Sequence, residues 1–80
     1  MRLDKYLKVS RLIKRRTVAN EACDGQRVTA NGKTVKASYN VKVGDILELR
    51  LGPRTVKVEV TEIAGSATKE SAGAMYREIL

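Results

Sequence analysis

The dipeptide Asn31-Gly32 constrains this chain more than any other feature, because it is the preferred occupant of a two-residue hairpin turn whose central residues both take positive φ. A turn there fixes register: Ala30 faces Lys33, Thr29 faces Thr34 and Val28 faces Val35. The flanking segments Arg27–Ala30 and Lys33–Lys36 then carry valines on one side and threonines on the other, the pattern of a sheet with one buried face. Gly44-Asp45 marks a further turn, after which Ile46–Leu51 and Arg54–Ile63 alternate about Gly52-Pro53. With that pair as the loop, Leu47 meets Val58, Leu49 meets Val56 and Glu48 meets Lys57. Apolar groups oppose apolar ones and an acid opposes a base.

A one-sided sheet needs a cover, and the first quarter of the chain supplies it. At 100° per residue Leu3, Tyr6, Leu7 and Ser10 share one arc while Arg2, Lys5 and Lys8 take the other side, which predicts an amphipathic helix over about residues 3 to 9. Arg11 to Arg16 form a connector anchored by Leu12 and Ile13. Thr17 is suited to N-cap a second helix, Val18–Asp24, with Gly25 as the left-handed residue that ends it. Tyr6 belongs to the core, and so does Cys23, on the side of Val18, Ala19 and Ala22. In the tail, Ala64 to Leu80, a weak helical stripe of Ala72, Met75, Tyr76 and Ile79 is open to three readings: a short helix docked on the sheet, a partner-binding helix or a frayed end. Docking is the preferred one.

At 80 residues and 8.8 kDa the chain can bury only about 63% of its unfolded surface, enough for one small core. The fold class is therefore α+β: two short N-terminal helices packed on a small antiparallel or mixed sheet, with the binding domain over residues 1–64 and a tail over residues 65–80.

Charge is distributed unevenly. Arg2, Lys5, Lys8, Arg11, Lys14, Arg15 and Arg16 lie within residues 1–16 against Asp4 alone, so one-fifth of the sequence holds a surplus of six out of a net charge of +7. Clustered cations repel one another unless something anionic offsets them, so such a segment is the footprint of a phosphate-binding surface. Arg15 and Arg16 gain a further rationale from standing beside a helix N-terminus, whose amides and dipole attract anions. Asp4 reads as a helix-start acid, or as a salt-bridge partner orienting a neighbouring arginine. Thr17 supports the site through its cap.

Several function classes fall away. With no His and one Cys there is no zinc cluster and no histidine base, so neither metal, cofactor nor catalysis is expected, and an active-site pocket for a small-molecule substrate is hard to build at this size. The lone Cys cannot close an intrachain disulfide, as suits a reducing cytoplasm. No signal-peptide stretch opens the chain, and the longest apolar run is Ala74-Met75-Tyr76, so no membrane segment is expected. Three Tyr and no Phe or Trp make a stacking platform for single strands a poor fit. A DNA-binding helix-turn-helix fits no better, because the second helix offers Asn20, Glu21 and Asp24 to the groove and no cation. Structured RNA gripped along its backbone remains.

The ordered series Arg2-Leu3-Asp4-Lys5-Tyr6-Leu7, Ser10-Arg11, Lys14-Arg15-Arg16-Thr17, Ala19, Gly25, Val28, Asn31-Gly32, Lys36, Val41 and Gly44-Asp45 resembles the RNA-binding domain named after small-subunit ribosomal protein S-four, the alpha-L motif, over about residues 1 to 50. As a domain standing alone, the chain is similar to the ribosome-associated quality-control members of that family. The related fifteen-kilodalton heat-shock members carry a longer basic C-terminal extension. The resemblance implies a cytoplasmic, monomeric, non-catalytic factor on obstructed large ribosomal subunits. It would contact rRNA and P-site peptidyl-tRNA and work with an NFACT-family partner in template-free alanine tailing; the alternatives are peptidyl-tRNA and large-subunit recycling of the heat-shock type, or a generic structured-RNA-binding module. It also implies Arg2 and Arg16 as leading RNA contacts, with Lys5, Lys8, Arg11, Lys14 and Arg15 supporting.

Overall fold

The structure, a computed structural model, describes residues 1–65 and 69–79. Helix α1 (Leu3–Val9) and helix α2 (Arg16–Asp24) precede strands β1 (Val28–Ala30), β2 (Lys33–Thr34), β3 (Ile46–Leu51) and β4 (Arg54–Val60), followed by the single helical turn α3 (Lys69–Ala72) and strand β5 (Tyr76–Glu78). The five strands form one antiparallel sheet in the order β2-β1-β3-β4-β5. Both turn-derived registers hold: Thr29 pairs with Thr34, Leu47 with Val58, Glu48 with Lys57 and Leu49 with Val56. Asn31 and Gly32 take φ of 54° and 84°, as the hairpin requires.

Alternation along the strands sends Val28, Ala30, Leu47, Leu49, Val56, Val58 and Val60 into the core beneath the helices. Helix α1 has seven residues, too few to be stable alone, and it exists because Leu3, Tyr6 and Leu7 are completely buried. Burying side chains of that size contributes about 1.5–3 kcal/mol each. Helix α2 presents the small residues Ala19, Ala22 and Cys23 to the core, which lets it lie close to its neighbours. Val18 is 46% exposed, outside that arc, and so does not share the buried side expected of it. Burial pushes the Cys23 thiol up to about 11, helped by the Asp4 and Asp24 charges.

Three local expectations are corrected. Helix α2 starts at Arg16, with Arg15 and not Thr17 as N-cap, and that cap makes no side-chain hydrogen bond. Gly25 ends the helix with φ of −83°, and the left-handed position falls to Gln26, with φ of 64°. Glycine is needed at 25 for close approach, since a Cβ there would lie 2.8 Å from the Glu21 carbonyl oxygen. The stripe Ala72, Met75, Tyr76, Ile79 is not one helix: α3 ends at Ala72, and Tyr76–Glu78 is an edge strand on β4. The Met75 carbonyl explains why, accepting the buried Tyr6 hydroxyl at 2.7 Å and the amides of Thr61 and Glu62 at 2.9 and 3.2 Å. Those bonds pull the segment alongside β4.

Gly25→Ala should lower stability by about 1–3 kcal/mol in urea unfolding, as overpacking against backbone does. Gln26→Gly should leave it unchanged or raise it by up to about 1 kcal/mol.

Candidate nucleic-acid interface

The basic segment is organised by one buried acid. Asp4 sits in the first turn of α1 with its side chain 3% exposed. Its Oδ1 accepts the Lys5 amide at 2.7 Å, Arg2 Nε at 3.2 Å and Arg16 Nη2 at 3.4 Å, while Oδ2 accepts Asn20 Nδ2 at 3.2 Å and Arg2 Nη2 at 3.3 Å. Burial by itself disfavours the charged carboxylate, but Asn20, Arg2, the Lys5 amide and Arg16 together hold its pKa below the ordinary value. Arg16 and Asn20 are four residues apart on α2, so one helix face delivers both to Asp4. That geometry also accounts for α2 beginning at Arg16.

The two guanidiniums remain about half exposed, at 52% and 50%, over an acid hidden from solvent. An approaching anion therefore meets arginine and not carboxylate. Each guanidinium has five N–H donors. Among the described residues Arg2 Nη1 and Arg16 Nε and Nη1 make no bond within the protein. Donors held in a fixed fork by a buried partner suit phosphate oxygens. The adjoining concavity, lined by Asp4, Arg16, Thr17, Asn20 and Glu21, holds two acids to one cation, so the anion-facing surface is the outer side of the arginines.

The other predicted cations are exposed but not brought to Asp4. Lys5 and Lys8 lie on the outer side of α1, and Lys14 and Arg15 lead into α2. Arg11 sits beyond the opposite end of α1 from Arg2, with φ of 64°. Thr17 is inside the helix and lines the concavity. At the start of α1 the Leu3 and Asp4 amides are taken by the Tyr39 and Ala37 carbonyls at 2.8 and 3.2 Å, and those of Lys5 and Tyr6 by Asp4 and Arg2, so no amide is left there for an anion.

Sequence reasoning passed over Asn20 as a support of Asp4, although its spacing from Arg16 was a usable signal. It also passed over a second buried acid. Asp45 accepts the Tyr39 hydroxyl at 2.8 Å, the Lys42 amide at 3.0 Å and Asn31 Nδ2 at 3.1 Å, tying the hairpin turn to the loop that receives α1. Burial opposes its charge, and the Lys42 amide, Tyr39 and Asn31 overcome that and lower its pKa.

Together these features define a small α+β module with a basic end, in which two arginines, Arg2 and Arg16, are held by a buried acid. The S4 domain profile matches residues 1–47, more than half of the chain, and the chain belongs to that family. It is 53% identical over 95% of its length to the RQC P-site tRNA stabilizing factor of Halalkalibacterium halodurans, covering 86% of that protein. To the protein of the same name from Bacillus subtilis it is 54% identical, over 95% of this chain and 88% of the other. Vibrio cholerae Heat Shock Protein 15, solved as a trimer, superposes with a TM-score of 0.92 at 31% identity, covering 99% of this chain and 81% of that one.

Because Asp4 and Asp45 ionise below the ordinary carboxylate value of 3.8, the unfolded chain takes up protons before the folded one on acidification. Stability should be level above about pH 5 and fall below it. Asp4→Asn should make that fall shallower and cost about 1–3 kcal/mol at neutral pH, measured as urea midpoints across pH.

Proposed function

We propose that this protein is a non-catalytic RNA-binding factor of ribosome-associated quality control. It binds obstructed large ribosomal subunits in the cytoplasm, contacting rRNA and P-site peptidyl-tRNA. In doing so it supports an NFACT-family partner in template-free alanine tailing of the stalled chain. The observation that carries the reading is the pair of half-exposed guanidiniums, Arg2 and Arg16, held on buried Asp4 amid the basic segment. It supplies a rigid, sequence-blind grip on phosphate, as a structured RNA held by its backbone requires. The choice of pathway rests on the relatives more than 50% identical over nearly the whole chain, whose name specifies P-site tRNA stabilization.

A second reading, large-subunit recycling of the heat-shock type, draws on the likeness to Heat Shock Protein 15. Its identity of 31% makes it the weaker of the two. Neither reading gives a residue a chemical step: Arg2 and Arg16 bind, Asp4 and Asn20 position them, and Lys5, Lys8, Arg11, Lys14 and Arg15 add counter-charge.

Co-sedimentation with large subunits tests the proposal. Arg16→Ala should weaken binding by at least about tenfold while circular dichroism stays as in the parent protein. If about six phosphates are neutralised, log K against log salt should slope by roughly −4 to −5, and each lost phosphate contact should make the slope shallower by about one. RNA crosslinked to the protein in cells should contain large-subunit rRNA together with tRNA; mRNA alone would contradict the proposal.

A further inference from the structure

A second cleft lies at the far end of α1 from the Asp4 site. It is lined by Arg11, Leu12, Leu51, Arg54, Val56, Tyr76 and Glu78, and its volume is about 160 Å³. Small-molecule clefts run to roughly 300–1,000 Å³, so this one has room for a single flat group. Its construction follows from strand register. Arg54 continues the core-facing row of Val56, Val58 and Val60 to the hairpin end, where it is exposed while the valines below it are buried. Tyr76 and Glu78, paired with Val60 and Val58, face the same side from the edge strand.

Two observations separate this cleft from an ordinary solvated rim. Among the described residues Arg11, Arg54 and Glu78 have no ion-pair or side-chain hydrogen-bond partner, whereas Arg2, Arg16 and Arg77 each hold an acid. Arg11 also occupies the left-handed position just past the end of α1, with φ of 64°, where glycine is the ordinary residue and a side chain is strained. Strain retained in the backbone points to work done by the side chain.

We infer that this cleft is a second RNA contact, receiving one unstacked nucleotide. Its base lies against Tyr76, Leu51 and Val56, its flanking phosphates meet Arg11 and Arg54, and the Glu78 carboxylate accepts from the base edge. The inference rests on the RNA-binding reading of the Asp4 site and shares with that reading only Arg11, there a source of counter-charge and here a lining residue. Tyr76 is the aromatic residue in the lining, and an aromatic ring is what a single base stacks on. Glu78 selects bases with an exocyclic amino donor, cytosine, adenine and guanine, over uracil. The scarcity of aromatic residues still excludes a platform for a run of bases, and one slot needs only one ring.

Amide NMR of the full chain tests this, with two probes: unpaired hexaribonucleotides of cytidine, adenosine or uridine, and a blunt RNA duplex. The hexamers should move the signals of Arg11, Leu51, Arg54, Tyr76 and Glu78, and the duplex those of Arg2, Lys5 and Arg16. Arg11→Gly should leave the melting temperature unchanged or higher, yet weaken hexamer binding by at least about fivefold, since a phosphate contact is lost. Glu78→Gln should reduce the preference for cytidine over uridine from about fivefold or more to less than about twofold. A duplex that shifts its own surface while no hexamer moves the cleft overturns this inference and leaves the RNA-binding reading standing. If neither RNA binds, both fall. If a short peptide with a free α-carboxylate moves the cleft signals and the hexamers do not, the occupant is protein and the inference is wrong.

Discussion

A single carboxylate, that of Asp4, decides how the basic end of this protein is arranged. Cations crowded into sixteen residues repel one another, and nothing in helix propensity alone would hold two of them side by side. Placing an acid beneath them, with its side chain only 3% exposed, changes the balance: the acid is satisfied by Arg2, Arg16, Asn20 and a backbone amide. A buried charge without such partners would cost several kcal/mol, so the acid and its donors stand or fall together. The outcome is a pair of guanidiniums with fixed position and spare donors, which flexible surface arginines lack.

The rest of the fold serves to keep that acid where it is. Helix α1 is too short to persist unaided, and its hydrophobic face, its bonds to Tyr39 and Ala37 and the bridge between Arg2 and Asn40 fix where it starts. Asp45 holds Tyr39 and the Asn31 turn in turn, so the hairpin and the helix start are parts of one connected network. The last strand contributes as well, since the Tyr6 hydroxyl bonds to the Met75 carbonyl 69 residues away. In a chain this small, the Asp4 cluster and the core share nearly every element.

How far the sequence carried the account depended on the kind of physics involved. Registers at Asn31-Gly32 and Gly52-Pro53 were legible because turn chemistry and side-chain alternation are local and agree with each other. Helix α1 was legible from the period of Leu3, Tyr6 and Leu7, and Asp4 could be read as a partner for a nearby arginine. The start of α2 was misplaced because Thr17 is a good cap by type, while the actual boundary is set by the reach of Arg16 and Asn20 to Asp4 across two helices. In the tail, docking on the sheet is as expected, but the helical spacing of Ala72, Met75 and Tyr76 is weak, and pairing with β4 overrides it beyond Ala72. The separation of Arg11 from Arg2 follows from the helix expected over residues 3 to 9, whose opposite ends they flank, although a count of charges along the chain gives no sign of it.

The claim that Asp4 makes one unit of Arg2 and Arg16 is tested most directly by a double-mutant cycle on large-subunit binding at fixed salt, using Arg2→Ala, Arg16→Ala and the double variant. When one arginine is removed, the other is drawn more fully onto the carboxylate and gives up donors that would serve phosphate, so the first loss should be costlier than the second. The account predicts that the double variant loses less than the two singles combined, by about 1 kcal/mol or more. Losses that add to within about 0.3–0.5 kcal/mol would mean that the two arginines act independently and that Asp4 does not join them.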